Sequence, residues 1–330
     1  MKRCIGLILV ALIMLPGMVS CEDTYIKEEG MVWNTMYHIT YQGDRSLTDS
    51  VMPVLNEVGG SLNVFDESSL VSRVNKSKST PVDEHFMTVY NTSVIMNGVS
   101  DGMFDPTLSP LITAWGFGPG HKATADTIAI DSILTFTGIG KTRLEGPVLV
   151  KDDVRTQFNF SAVAKGYGCD KVAEMLRRNG VENYLVEIGG EIAVGGVSPS
   201  GESWKVSVDN PVEQGDTVSH DSFTILSVTN AGIATSGNYR NFHKAGTETF
   251  GHTISPRTGR PVRTDVISAT VIAPTSMEAD AAATACMASG SEISKEMLKT
   301  LRYDGMLILA DTTVYMTPGF KALSDPGVRQ

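Results

Sequence analysis

A carboxylate and a hydroxyl lie four residues apart in the small-residue segment 276–290. These are Asp280 and Thr284, and side chains at this spacing share one face of an α-helix. Oxygen ligands of this kind suit magnesium or calcium rather than zinc, and the alanines between them leave room for a bulky ligand. The spacing also allows Asp280 to complement the helix dipole while Thr284 packs. The pair is therefore a candidate site for a hard divalent cation.

A histidine precedes a stretch that is rich in proline and glycine. In the range 255–261, the pairs Ser-Pro and Thr-Gly and the final Arg-Pro predict a tight turn. Such a turn would hold His252, Ile254 and Arg257 in fixed positions against a ligand. Histidine can act as a base near neutral pH, whereas a surface histidine before a hairpin turn is the simpler explanation. We treat His252 as a candidate catalytic base.

Two further segments have compositions that suit ligand binding. The range 235–240 reads Thr-Ser-Gly-Asn-Tyr-Arg and gathers donors around a glycine, as is expected where a chain wraps phosphate oxygens. Ser236 and Gly237 are the candidate contacts there, and a polar turn is the alternative. The range 102–118 is dense in proline, glycine and aromatic residues. It suits the rigid wall of a pocket for a flat aromatic ligand, or equally a proline-kinked core segment.

Several common catalytic signatures are absent from the sequence. It has no Gly-x-x-x-x-Gly-Lys phosphate loop, no Gly-x-Gly-x-x-Gly turn and no Cys-x-x-Cys pair. Its one Gly-x-Ser-x-Gly match, at 98–102, follows a predicted helix rather than a strand and is therefore not a nucleophile elbow. The usual ATPase, Rossmann, hydrolase and zinc classes therefore lack support.

Helices are predicted mainly in the first half of the chain. Apolar residues at alternating spacings of four and three, from Val51 to Phe65, predict a helix from Asp49 with Pro53 in its first turn. Further helices are predicted behind the acidic pair 83–84, over 161–180, and over 277–288 with Thr275 or Ser276 as cap.

Strands are predicted mainly in the second half of the chain. They cover the ranges 184–188, 192–194, 204–208, 223–228, 267–272, 306–309 and 314–316. The segregation of helices and strands indicates an α+β fold with antiparallel hairpins rather than a doubly wound sheet. The range 119–150, rich in Thr and Gly, is predicted to be the least constrained part, a variable insertion.

The first residues predict an exported lipoprotein. Lys2 and Arg3 precede an apolar stretch, residues 5–15, that is too short to span a bilayer permanently. Small or aliphatic residues stand before Cys21, as a lipoprotein signal peptidase requires, and an ordinary signal peptide is the alternative. We expect a signal peptide over 1–20, a lipidated tether over 21–30 with acyl chains such as palmitate on Cys21, and one domain over 31–330. The protein would be anchored on the periplasmic side of a bacterial membrane.

The net charge limits the kinds of partner that the protein can bind, and the cysteines bear on its redox compartment. Of the 27 Lys and Arg residues, loss of Lys2 and Arg3 leaves 25 against 37 acidic residues, a net charge of −12. This charge disfavours nucleic-acid binding, and an acidic protein that binds phosphate groups is helped by a bound cation. The sequence leaves open whether Cys169 and Cys286 form a disulfide, and two buried helix thiols are the preferred interpretation.

A series of ordered segments resembles the ApbE family of bacterial FAD:protein FMN transferases, over nearly the whole mature chain. The segments are WNTMY from Trp33, FDESSLVSRVN, GMFDPTLSPLITAWGFG, SAVAKGYGCDKVAEML, NYLVEIGGEIAVGG, WKVSVDNP, ATSGNYRNF, HTISPRTGRPV and EADAAATA. The resemblance implies the α+β fold of that family, with antiparallel sheets and packed helices. It also implies FAD as substrate, with its pyrophosphate over Mg²⁺.

The resemblance also assigns residues. Asp280 and Thr284 match the side-chain metal ligands of the family, and Ala162 matches a position that offers its backbone carbonyl. Asp280 and His252 would be the catalytic residues. The positions that contact the flavin are matched by Trp33, Phe65, Met103, Phe104, Asp105, Asn159, Lys165 and Ile254.

The implied reaction transfers FMN from FAD to a protein. The Thr or Ser hydroxyl of a respiratory flavoprotein subunit, in an Asp-x-x-Thr/Ser-Gly-Ala-Thr/Ser motif that this chain lacks, attacks the FMN phosphorus and AMP leaves. His252 matches the histidine proposed to activate that hydroxyl. Ser255 stands where the family usually has aspartate, and Asn34 where it usually has glycine. An FAD pyrophosphatase that yields FMN and AMP, or a non-catalytic flavin-binding lipoprotein, would use the same site.

Overall fold

The computed structural model describes residues 24–117, 127–209, 222–237, 242–245, 248–251 and 253–325. The helices in these ranges are α1 (Thr48–Leu62), α2 (Leu70–Lys76), α3 (Glu84–Val99), α4 (Ser109–Ala114), α5 (Thr127–Leu134), α6 (Ala164–Arg178), α7 (Ser276–Ser289), α8 (Ser291–Leu301) and α9 (Pro318–Leu323), with a 3₁₀ helix at Ile139–Lys141. The strands are β1 (Tyr25–Val32), β2 (Thr35–Gln42), β3 (Ser79–Pro81), β4 (Thr142–Glu145), β5 (Val148–Lys151), β6 (Tyr184–Ile188), β7 (Glu191–Gly195), β8 (Trp204–Asp209), β9 (Ser222–Val228), β10 (Ala231–Gly237), β11 (Phe242–Ala245), β12 (Glu248–Gly251), β13 (Val266–Ala273), β14 (Asp304–Leu309) and β15 (Val314–Met316).

An antiparallel sheet of eight strands organises the described residues, in the order β1-β2-β6-β7-β10-β13-β14-β15. Alternate residues of its central strands enter different cores. Val271 and Leu307 pack with α7, whereas Ile272 and Ile308 pack with the β8–β9 hairpin and α9. The sheet is therefore covered on both faces, and the predicted α+β class is confirmed.

The first hairpin of the sheet, β1–β2, was not predicted from the sequence. Its turn consists of Trp33 and Asn34, whose φ angles are 47° and 63°, as in a type I′ turn. Residues 25–30, which the sequence analysis assigned to the tether, lie in β1 and pair with β2. The folded part therefore begins no later than Tyr25, rather than at residue 31.

Helix α1 has the predicted buried face but ends one turn earlier than predicted. Val51, Leu55, Val58 and Leu62 are buried, as expected from their spacing. The helix begins at Thr48, so Pro53 lies in its second turn rather than its first. The backbone becomes extended at Asn63, which releases Phe65 from the helix, and this side chain is 57% exposed.

Helices α6 and α7 approach each other unusually closely. At Gly166 of α6, an added Cβ would lie 2.3 Å from the carbonyl oxygen of Ser276, so only glycine fits there. The alanines at 281–283 are fully buried, because α7 packs against β10, β13 and α6. They allow close packing and do not leave the room for a ligand that the sequence analysis expected. The N-terminus of α6 is thereby brought beside Asp280.

The range 119–150 contains more regular structure than expected. Residues 118–126 lie outside the described part, but the rest forms α5, the 3₁₀ helix, β4 and β5. Strand β5 lies between β3 and β4 in a three-stranded sheet, and Leu149 is buried beneath it. The prediction of a weakly constrained segment is therefore wrong for residues 127–150.

The two described cysteines are free thiols. Cys169 in α6 and Cys286 in α7 are both fully buried and belong to different hydrophobic clusters. The preferred interpretation of two buried helix thiols is confirmed. Cys4 and Cys21 lie outside the described residues.

Candidate active site

A cavity of about 690 Å³ opens between the start of α6, one face of α7, the end of β10 and the 102–117 segment. Its lining includes twelve of the residues selected from the sequence: Phe65, Met103, Phe104, Asp105, Asn159, Ala162, Lys165, Ser236, Gly237, Ile254, Asp280 and Thr284. These residues come from distant parts of the chain and meet in one place. The volume is within the range of cofactor and small-molecule sites.

The proposed metal ligands line this cavity together. Asp280 is 3% exposed, and its Oδ2 accepts a hydrogen bond of 3.1 Å from the backbone N–H of Gly166. Thr284 lies one turn further along α7, and its hydroxyl is 3.3 Å from that of Ser236. Ala162 lies just before α6, at the same cavity. Asp280, Thr284 and Ala162 therefore line one common space.

A buried ion pair beside Asp280 was not identified from the sequence. Lys165 Nζ binds the Glu191 carboxylate, and Glu191 is 4% exposed at the start of β7. Burial, reinforced by the negative charge of Asp280 and opposed by Lys165, raises the pKa of Glu191 to about 8. Burial also raises the pKa of Asp280, against the attraction of Lys165. Burial lowers the pKa of Lys165, but Asp280 and Glu191 outweigh it and the net shift is upward.

This donor set fits a hard divalent cation. Two buried carboxylates face one ammonium group, so when both are ionised a negative charge remains uncompensated. Oxygen donors from carboxylate, hydroxyl and backbone carbonyl groups are those that Mg²⁺ and Ca²⁺ prefer. The described residues contain no group of three or more His, Cys, Asp and Glu side chains placed to hold a metal. A site here would therefore rely on Thr284 and Ala162 as well as on Asp280.

The segment 103–108 forms an apolar wall that the half-buried carboxylate of Asp105 holds in place. Asp105 accepts hydrogen bonds from the N–H and hydroxyl of Thr107, at 2.8 and 2.6 Å, and from the N–H of Ile139, at 2.9 Å. Burial raises its pKa, although these hydrogen bonds oppose the change. Met103 and Phe104 are thereby fixed against the cavity. Asp105 therefore stabilises the wall by ordering its backbone.

Ile254 also lines the cavity, and the predicted turn positions it. Ser255 N–H donates to the carbonyl of Arg260, and Gly259 N–H donates to that of Ser255, both at 2.8 Å. Ser255 Oγ accepts from the N–H groups of Arg257 and Thr258, at 3.3 and 3.4 Å. The serine therefore caps this turn as the side chain of an aspartate would. His252 lies outside the described residues.

Trp33 lies outside the cavity that the other predicted flavin-contacting residues line. It is in the β1–β2 turn and does not line the cavity. Cβ atoms added at Gly59 and Gly168 would lie 2.6 Å from its indole, so the ring packs against α1 and α6. Its proposed contact with the flavin stays a prediction.

Comparison with known proteins identifies the family of this chain. The model of the ApbE family matches residues 33–307. The FAD:protein FMN transferase of Vibrio cholerae is 34% identical over 86% of this chain and 88% of its own, and that of Haemophilus influenzae is 30% identical over 98% and 99%. The solved structure of the flavin transferase ApbE from Vibrio cholerae has a TM-score of 0.82 at 30% identity, over 91% of this chain and 99% of its own. This chain therefore belongs to the ApbE family.

Proposed function

We propose that this protein is an FAD:protein FMN transferase. It would cleave FAD, attach FMN to a Thr or Ser hydroxyl of an acceptor protein through a phosphoester bond, and release AMP. The relatives that it matches over most of their length carry that name. The observation that carries the proposal is one cavity that combines an apolar wall with a cluster of hard oxygen donors.

The two parts of the cavity suit the two parts of a flavin dinucleotide. Met103, Phe104 and Ile254 supply flat apolar surface of the kind that binds an aromatic ring system. Asp280 and Thr284 would hold a cation against the oxygens of a diphosphate. Ser236 adds a hydroxyl beside Thr284, and Gly237 also lines the cavity.

Asp280, Thr284 and the carbonyl of Ala162 would hold Mg²⁺. When bound, the ion would neutralise negative charge on the pyrophosphate. Lys165 adds a positive charge that does not depend on the metal, because Glu191 keeps it at the cavity. Burial of this cluster strengthens each electrostatic contact made there.

The reaction would proceed by displacement at the phosphorus of the FMN half. The acceptor oxygen forms a bond to this phosphorus, and the bond from phosphorus to the oxygen shared with the AMP half breaks. The acceptor hydroxyl loses its proton, for which His252 is the proposed base. The electron pair of the broken bond stays on AMP, which leaves.

The test is transfer to a defined acceptor. We would incubate the purified protein with FAD, Mg²⁺ and an acceptor domain that carries Asp-x-x-Thr-Gly-Ala-Thr, and measure covalent FMN by mass spectrometry. Wild-type protein should label the acceptor, while a chelator or Asp280→Asn should reduce the rate by about 100-fold or more. AMP release without labelling would instead identify an FAD pyrophosphatase. FAD binding with neither product would identify a flavin-binding lipoprotein.

We also propose that the protein is exported and anchored through acylated Cys21 on the periplasmic side of a bacterial membrane. Residues 1–20 have the charge and apolar pattern of a signal peptide. In the described residues, no helix is long and apolar enough to cross a membrane. Cys21→Ala should move the protein from the membrane fraction to the soluble fraction, and unchanged fractionation would contradict the anchor.

A further inference from the structure

A second groove, of about 580 Å³, lies beside the cavity and carries an unusual charge. Its lining contains three arginines, Arg257, Arg260 and Arg263, and no described carboxylate. The chain as a whole has a formal net charge of −10. The described lining of this groove is therefore basic although the chain is acidic, and a basic lining favours an anionic partner.

Two of the arginines project from a rigid turn. The hydrogen bonds between Ser255 and Arg260 and between Gly259 and Ser255 close this turn. Trp115 Nε1 donates a further hydrogen bond of 2.8 Å to the carbonyl of Gly259. Because the backbone is held in this way, ordering the groove for a partner costs little conformational entropy.

The groove adjoins the cavity, because Met103 and Ala288 line both. A chain bound in the groove would therefore lie within a few residues of the apolar wall that contains Met103.

A carboxylate from a partner would meet little competition at Arg257. This guanidinium is paired with Asp101, and their side chains are 55% and 72% exposed. Exposed ion pairs contribute little to stability, so Asp101 is easily replaced. Arg260 and Arg263 make contacts within the chain, and a guanidinium group with five donors can serve more than one acceptor.

We infer that this groove binds a carboxylate-rich segment of the acceptor protein, next to the hydroxyl that receives FMN. The inference rests on the proposed transferase function and specifies its protein substrate. Arginine suits this task because its planar fork binds carboxylates through two parallel hydrogen bonds. The groove would thus select the acceptor by charge, while the cavity holds the nucleotide.

The experiment compares charge reversals inside and outside the groove. The probe is an acceptor domain with Asp-x-x-Thr-Gly-Ala-Thr and acidic flanking residues, beside a version with those flanking carboxylates changed to amides. Arg257→Glu and Arg260→Glu are the test variants. Arg143→Glu is the matched control, because Arg143 is also 55% exposed and also paired with a carboxylate. The quantities measured are the KM for the acceptor, the Kd for FAD, and equilibrium binding of both domains by calorimetry.

The groove variants should raise the KM for the acidic acceptor by about tenfold or more, through loss of charge-assisted hydrogen bonds, with the Kd for FAD unchanged. Arg143→Glu should change neither, and the amide acceptor should bind wild-type protein and the variants equally weakly. An unchanged acceptor KM, or a raised Kd for FAD alone, would overturn the inference. If wild-type protein labels no acceptor, the transferase proposal fails, and calorimetry with the acidic and amide domains still decides whether the groove binds carboxylates.

Discussion

At the scale of single residues, the site is organised by the charges that it buries. Asp280 and Glu191 are almost fully buried, and Lys165 pairs with Glu191. Two ionised carboxylates beside one ammonium group are costly to bury, and the upward pKa shifts of Asp280 and Glu191 express that cost. A divalent cation would supply the missing positive charge. The charges of the cluster are therefore better balanced with a bound metal than without one.

Thr284 tests whether a neutral oxygen contributes to this site. Thr284→Val keeps the shape of the side chain and removes the hydroxyl, whereas Thr284→Ser keeps the hydroxyl. We expect Thr284→Val to raise the Mg²⁺ concentration for half-maximal FAD cleavage by about tenfold or more, and Thr284→Ser to change it little. The measurement is a Mg²⁺ titration of AMP release. Equal Mg²⁺ dependence in the two variants would exclude the hydroxyl as a ligand.

The sequence revealed site residues at positions where their type differed clearly from that of their neighbours. Asp280 and Thr284 stood out because polar residues at helical spacing are rare in a run of alanines. Glu191 was missed because one carboxylate in a strand is usually exposed, and its burial depends on the pairing of Lys165 across α6 and β7. Ala162 would contribute through its backbone carbonyl, which no side-chain pattern reveals.

At the scale of elements, the local signals that predicted a helix start were reliable. Asp83 and Thr275 accept hydrogen bonds from Phe86 N–H and Glu278 N–H, as N-cap residues do. The β1–β2 hairpin gave a weaker signal, because its turn residues Trp33 and Asn34 lack a glycine. Strand β1 is also at the edge of the sheet, where polar residues obscure the alternation.

The contact between α6 and α7 can be tested by replacing a glycine of α6 with alanine and, as a control, a glycine of α3 with alanine. Gly166→Ala should destabilise the protein by about 1–3 kcal/mol, because the added methyl group meets the Ser276 carbonyl at 2.3 Å. Gly98→Ala is the matched control in α3, where an added Cβ has nothing within 4 Å. It should stabilise the helix by about 0.5–1 kcal/mol. Urea unfolding measures both, and equal effects would contradict the close contact.

The same contact predicts a pH dependence. Asp170 of α6 accepts the N–H groups of Ser276 and Met277, both at 2.8 Å. Burial raises its pKa from 3.8 to about 7, against these hydrogen bonds. A raised carboxyl pKa means that the folded state binds more protons than the unfolded state in this window. The stability contribution is therefore complete below pH 3.8 and is lost as the pH rises through about 7.

Asp170→Asn should reduce this loss of stability, because the amide does not titrate. The variant should also be less stable at low pH, since an amide presents only one acceptor to two N–H groups. Free energies of unfolding in urea between pH 4 and 8 would give the two slopes. Parallel slopes for wild-type protein and variant would show that Asp170 does not titrate in this window.

At the scale of the whole molecule, the order of the strands in the sheet determines which elements meet at the site. The cavity joins α6, α7 and β10 to the 102–117 segment, and strand β10 lies between β7 and β13 in the sheet. Sequence patterns identified most of these elements but not their order in space, because strand pairing depends on long-range packing. The resemblance to a family supplied the arrangement that local patterns could not.

This architecture predicts which amides gain protection from hydrogen exchange when a ligand binds. A ligand that binds only the folded state stabilises it by about 2.7 kcal/mol at 100 times its Kd, and all amides that exchange through global unfolding should slow together. Amides at the start of α6, in α7 and at the end of β10 should gain further protection, because these elements line the cavity. The β8–β9 hairpin lies in the core on the other face of the sheet and should show only the global effect. Hydrogen exchange with FAD, with and without Mg²⁺, measures both, and Asp280→Asn should remove the Mg²⁺-dependent part. Extra protection in β8–β9 but not in α6 and α7 would place the ligand elsewhere.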